Sequence, residues 1–401
     1  MLWLATHAEM FRLMSFAMDV VRLSRLRAAG LLAAILLAGT PHDLPAQSAR
    51  NRGAAARSST DWGERKPRRT KIAGQPAPSA VPPALGTACR PDYWIVSSRH
   101  CWGRAGPFGV RCPFEYFRVG PDGRWVRGTQ EEFSASLVPK VPVCIVAHGS
   151  FVPFASVVAD SRWTYAWIRA AAPDYPLHVV FYTWPSEAPI TGIPQIDVAI
   201  LGRRGGSNGF YLAQLIQSIP VDHPISLLGH SHGARVIASA LHLLAGGQVQ
   251  GRWLEQPSCG RRLRAVFAAA AIDHNWLNPG ERYERALWGV EYLVNLQNHL
   301  DVVLGLYPLR KLFSRRALAR AGFTWRDRRR MGWLAGKIAE YDVTTLVGLG
   351  HQWPNYNRHP YIAWLISPYL YYTDQYDRPP SSAVSSSRRA SGPPLAAPSR
   401  D

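Results

Sequence analysis

Six short apolar runs dominate the middle of the chain: VPVCIVAHG from Val141, LHVVFYTWP from Leu177, PISLLGHS from Pro224, RRLRAVFAAAAID from Arg261, GVEYLVNLQNHLD from Gly289 and VTTLVGLGH from Val343. Continuous apolar runs of this length, bounded by turn residues, are what strands buried on both faces look like. Between them lie segments with apolar residues at helical spacing: VVADSRWTYAWIRAAA, then IDVAILGRR and FYLAQLIQSI, then ARVIASALHLL. The alternation predicts an α/β chain with a mostly parallel central sheet and helices on both faces. Ahead of it, DYWIVSSRHC and FEYFRVGPDGRWVRG, the second folded about a Pro-Asp-Gly turn, predict short antiparallel strands at the start. YIAWLISPYLYY, from Tyr361, is too short to span a bilayer and reads as a packing helix.

Active groups of such sheets gather at the carboxyl ends of the strands. The runs end at His148-Gly149, Ser231, Asp273, Asp301 and His351, the residue types that nucleophilic acyl transfer needs. Ser231 sits in Gly-His-Ser-His-Gly, with Ile225, Leu227 and Leu228 before it and a helical pattern from Ala234 behind it. That is the setting of a nucleophile elbow, a serine at a sharp strand-to-helix turn. A second Gly-x-Ser-x-Gly match, Gly205 to Gly209, supplies a control: Ser207 follows charged, glycine-rich GRRGG and reads as a loop residue or an N-cap for FYLAQLIQSI.

A serine hydroxyl is a weak nucleophile until an imidazole takes its proton and a carboxylate orients that imidazole. His351, after the last run, is the expected base. Asp301 is the preferred acid and Asp273 the alternative, both in the chain order serine, acid, histidine. An oxyanion needs backbone N–H donors. One is expected from His232, the other from Ser150 or Phe151 in the AHGSF turn, with His148 shaping that loop. His230 is expected only to fill the elbow. The His230/His232 pair lacks the Asp-His continuation of a binuclear metal motif, so no metal is expected.

VCIVAHGSF, LLGHSHGARV, NHLDVVL and GLGHQW, in that order, resemble the α/β-hydrolases of the lipase and esterase type, over about Val141 to Tyr372. The resemblance implies a Ser231, Asp301, His351 triad, no cofactor, an acyl-enzyme and a carboxylic ester substrate, of a lipid or another apolar acyl group. The rival expectation is a catalytically inactive hydrolase fold that binds an anionic membrane or envelope surface.

The remaining expectations concern organisation and surroundings. RLSRLR followed by AAGLLAAILLAGT marks residues 1–46 as a signal peptide cleaved after Ala46, or as an uncleaved anchor, and hence an exported chain: periplasmic, envelope-bound or extracellular. Residues 47–88 and 377–401, rich in Ala, Pro, Ser, Gly and Arg, read as a disordered linker and tail around a domain at 89–376. Of the five cysteines, two among Cys89, Cys101 and Cys112 are expected to pair, and Cys144 to be a buried thiol. Net charge is +19, from 46 basic and 27 acidic side chains. Nucleic acid is not expected for an exported chain. The basic segment 309–333, with nine Lys or Arg against one Asp, reads as a solvated face, or as an element attracted to anionic headgroups with Phe313, Phe323, Trp325 and Trp333 adding apolar contacts.

Overall fold

The computed structural model describes residues 92–101, 112–187, 190–257, 260–310 and 314–375, all within one unit, Pro76–Asp401. The proposed signal, linker and tail, together with Cys89, Cys259 and Phe313, lie outside the described residues.

Among the described residues nine strands form one sheet: β1 (Tyr93–Ser97), β2 (Glu115–Val119), β3 (Trp125–Gly128), β4 (Val143–Ala147), β5 (His178–Thr183), β6 (Ile225–His230), β7 (Leu263–Ala268), β8 (Tyr292–Gln297) and β9 (Ile338–Asp342). Their spatial order is β3-β2-β1-β5-β4-β6-β7-β8-β9. Only the β1–β2 and β2–β3 pairs are antiparallel, and every pair from β1–β5 to β8–β9 is parallel. The expected antiparallel start is therefore the β1–β3 meander. Its hairpin turns at Pro121-Asp122-Gly123, where Gly123 takes the left-handed φ of 79°.

All residues of β4, β6 and β7 are buried, which is why these strands read as continuous apolar runs. β9 was hidden for the opposite reason. It is an edge strand, IAEYD, partly exposed throughout and mixed in polarity. The run VTTLVGLGH that resembles a last strand is instead a short helix, Thr344–Val347, started by Asp342, whose carboxylate accepts the Thr344 N–H at 2.9 Å, and then a loop.

Four long helices among the described residues cover the sheet: α1 (Phe154–Ala171), α2 (Pro194–Ser218), α3 (His232–Leu244) and α4 (Pro360–Tyr371). α4 is the packing helix expected from YIAWLISPYLYY. It is tied to α1 by Trp167 Nε1–H donating to the His359 carbonyl (3.0 Å) and by Tyr371 donating to the Ile168 carbonyl (2.8 Å). Ser226 of β6 donates to the Leu370 carbonyl at 3.1 Å. Among the described residues no helix is long and apolar enough to cross a membrane.

α2 overturns one expectation. Ser207 is neither loop nor N-cap but lies buried within a continuous 25-residue helix. Glycine costs about 1 kcal/mol in a helix interior relative to alanine, and a run of them reads as a break. Here their lack of a side chain lets α2 approach α3: a Cβ on Gly209 would lie 2.3 Å from Ser239 Oγ. Ser239 in turn donates to the Gly206 carbonyl at 2.6 Å.

Cys101 and Cys112 form a disulfide, and Cys144 is a buried free thiol that burial pushes up to about 12. In the basic segment, Arg328 pairs with Glu340 (2.6 Å), Arg330 with Glu281 (3.3 Å), and Arg320 donates to the Asp301 carbonyl (3.0 Å). Phe323 is buried, so it does not supply the surface contact expected of it; Trp325 and Trp333 are exposed.

Candidate active site

The carboxyl ends of β4, β6 and β8 and the loop after β9 carry the residues singled out in the sequence. Ser231 follows β6 directly and has φ 54°, ψ −121°, a conformation that L residues avoid and that a sharp strand-to-helix turn imposes. The strain is held by the backbone on both sides. Ser231 N–H donates to the Ala268 carbonyl (2.9 Å), and its own carbonyl accepts from Ala271 (3.2 Å) and Ala234 (3.1 Å). The two glycines of the motif are steric requirements. A Cβ on Gly229 would lie 2.7 Å from the Ala234 nitrogen, and one on Gly233 only 2.1 Å from the Ala147 carbonyl oxygen.

His351 Nε2 lies 3.0 Å from Ser231 Oγ, and His351 Nδ1 lies 2.8 Å from Asp301 Oδ2. Asp301 is fully buried. Its other oxygen accepts the Leu304 N–H at 2.9 Å as the N-cap of the short helix Val302–Gly305. The sequence left two acids open, and the structure brings Asp301 to the histidine. Asp273, also buried, instead pairs with Ala317 through a backbone bridge.

The loop after β4 lies against the elbow: a Cβ on Gly149 would stand 3.0 Å from Ser231 Cβ. Phe151, at φ 63°, donates its N–H to the Ser186 carbonyl (2.7 Å), so it is already spent as a donor. The other expected source on this loop is Ser150. His148, expected to shape the loop, makes its contacts there. It binds the Gly149 carbonyl through Nδ1 (2.8 Å) and Thr183 Oγ1 through Nε2 (2.9 Å), and stacks on Trp184 at 5.7 Å. Burial, helped by the Arg99 charge, holds its pKa down at about 3, so the ring is neutral near neutral pH.

Sequence reasoning missed the side chains of the two flanking histidines. His230 Nε2 lies 2.7 Å from the His351 carbonyl oxygen, and His232 Nδ1 lies 2.7 Å from Ser150 Oγ. Their adjacency to Ser231 was a signal, but nothing in a linear motif says which distant loop a ring meets. One group of potential metal ligands, His100 with Cys101 and Cys112, is present among the described residues, and both its sulfurs are committed to the disulfide.

No protein-family profile and no curated protein sequence matches the chain. Among solved structures it is similar to the catalytic core domain of acetyl xylan esterase from Trichoderma reesei, at 14% identity over 59% of this chain and 95% of that one, TM-score 0.28. A lipase/esterase from Lactobacillus plantarum is 13% identical over 59% and 85%, TM-score 0.30. A thermophilic carboxylesterase from a metagenomic library is 12% identical over 64% and 85%, TM-score 0.30. Likenesses this distant carry no argument of their own, and the architecture rests on the strand order and register above. A mostly parallel sheet with a serine at a positive-φ elbow after β6, an acid after β8 and a histidine beyond β9, in that chain order, is the α/β-hydrolase fold.

Proposed function

We propose that this chain is a serine hydrolase that cleaves carboxylic esters through an acyl-enzyme, with Ser231 as nucleophile, His351 as base and Asp301 as its orienting acid. The carrying observation is the linked pair of hydrogen bonds, Ser231 Oγ to His351 Nε2 at 3.0 Å and His351 Nδ1 to Asp301 Oδ2 at 2.8 Å. Asp301 holds the proton on Nδ1, which leaves the Nε2 lone pair facing the serine hydroxyl. As Ser231 Oγ attacks the ester carbonyl, its proton passes to Nε2, and the imidazolium is stabilised by the buried carboxylate. The tetrahedral oxyanion is received by the backbone N–H groups of His232 and Ser150. His351 then protonates the departing alkoxide, and a water activated by the same nitrogen hydrolyses the acyl-enzyme. Apolar acyl groups are the proposed substrates: Phe151, Val302 and Leu349, neighbours in sequence of the oxyanion loop, the acid and the base, are all exposed.

An active-site-directed fluorophosphonate tests the reading. It labels the wild type and Ser207→Ala, and labelling is lost in Ser231→Ala. Absence of labelling in folded wild-type protein refutes the proposal. Turnover of p-nitrophenyl esters of graded length then ranks the acyl groups accepted.

A further inference from the structure

We infer that the two histidines flanking Ser231 are positioning residues: His230 ties the elbow to the loop bearing His351, and His232 ties it to the loop bearing Ser150. The inference rests on the reading of Ser231 as nucleophile and Ser150 as an oxyanion donor.

A hydrolytic serine needs three pieces of backbone in register: its own turn, the loop that carries the base, and the loop that supplies the second oxyanion N–H. Here the three come from chain segments far apart in sequence. A misplacement of about 1 Å between such pieces costs on the order of 100-fold in rate. Something has to lock them together.

His230 locks the first pair. A carbonyl oxygen only accepts, so His230 Nε2 carries the proton and donates to the His351 backbone at 2.7 Å. The ring is enclosed by those of His351 (5.4 Å), Trp353 (5.6 Å) and Tyr356 (6.0 Å), all on the histidine loop and the turn behind it. Burial, reinforced by neighbouring His351, holds the pKa of His230 down at about 3, so the ring stays a neutral donor as the pH falls toward the acid range. The bond holds the backbone of the very residue whose side chain reaches Ser231.

His232 locks the second pair. Its Nδ1 lies 2.7 Å from Ser150 Oγ, a bond in which either partner can donate. The two residues so joined are the two whose N–H groups are proposed above to receive the oxyanion. Gly202 of α2 backs the ring: a Cβ there would come within 3.2 Å of His232 Nε2. The ring is thereby held between a helix surface and the oxyanion loop, and the spacing of the two donors is set by a side-chain bond rather than by loop entropy.

A double-mutant cycle on an activated ester tests the second lock. His232→Phe and Ser150→Ala each keep the backbone N–H and remove the side-chain bond; each is expected to lower kcat about 10-fold, less than the roughly 100- to 1,000-fold lost when an oxyanion donor is removed outright, with KM little changed. The double variant falls no further than the worse single one, because both remove the same bond. His232→Asn, which keeps a polar atom near the Nδ1 position, recovers most of the rate and serves if the phenylalanine variant does not fold. For the first lock, His230→Leu lowers kcat about 10-fold at unchanged KM, and His230→Gln, which keeps a donor near Nε2, restores it. Wild-type kcat in the single variants, or losses that multiply in the double, overturn the inference while fluorophosphonate labelling of Ser231 stands. Loss of that labelling in folded wild type removes the functional reading, and the inference falls with it.

Discussion

Asp301→Asn is the sharpest probe of the site, because the surroundings dictate how the new amide must lie. One oxygen of Asp301 accepts the Leu304 N–H at 2.9 Å and the other meets His351 Nδ1 at 2.8 Å. An asparagine placed with its NH2 toward Leu304 would set two donors against each other in a fully buried position, at a cost of about 1–3 kcal/mol. It therefore turns its oxygen to Leu304 and its NH2 to His351. The histidine must then offer a lone pair at Nδ1 and carry its proton on Nε2, which is the nitrogen that has to accept the Ser231 proton. The wrong tautomer costs on the order of 10⁴-fold in kcat, about 5 kcal/mol of transition-state stabilisation. Because the side chain is isosteric and the cap to Leu304 is kept, thermal stability changes little. The assay is p-nitrophenyl ester turnover with circular dichroism as the folding control and Asp273→Asn alongside. Turnover within about tenfold of wild type in folded Asp301→Asn, or a larger loss in Asp273→Asn, refutes the reasoning.

Three further outcomes are expected. Gly233→Ala brings a Cβ to 2.1 Å from the Ala147 carbonyl and is expected to cost about 2 kcal/mol of stability together with ester turnover, whereas Gly336→Ala, with nothing within 4 Å, leaves both unchanged; urea unfolding and kinetics decide it. His148 and His230 are both held down at about 3 by burial, so they are neutral when folded and take up protons on unfolding below about pH 6.5. Their contribution is complete above that pH and is lost as pH falls toward 3, at about 1.4 kcal/mol per pH unit for each; His230→Gln flattens the slope of unfolding free energy between pH 6 and 4 by about that amount. The Cys101–Cys112 disulfide closes a loop of sequence separation 11 and contributes about 3 kcal/mol by restricting the unfolded chain, so reductant lowers the urea midpoint of the wild type and has little effect on Cys101→Ser.

Much of the site was legible in the linear chain because an elbow is a local object. The strand Ile225–His230, the serine, the glycines and the helix behind them are consecutive, and each demand of the turn falls on a residue that can be read in place. Strands buried on both faces announce themselves by unbroken apolar runs, which located β4 to β8. β9 escaped because an edge strand is not buried on both faces, and the apolar run taken for it was a short helix and loop. The glycines of α2 were misread for a related reason: glycine weakens a helix locally, and the compensation, close approach to α3, is a property of two helices together.

What the sequence determined by itself was the class of sheet, the elbow, and an acid and a histidine downstream in workable order. That Asp301 and not Asp273 meets His351, that the Phe151 N–H is given to the Ser186 carbonyl, and which groups His230 and His232 meet are visible only in the tertiary structure. Each of these depends on which segment, tens to more than a hundred residues away, is folded against the residue in question, and periodicity and propensity carry information only about near neighbours along the chain.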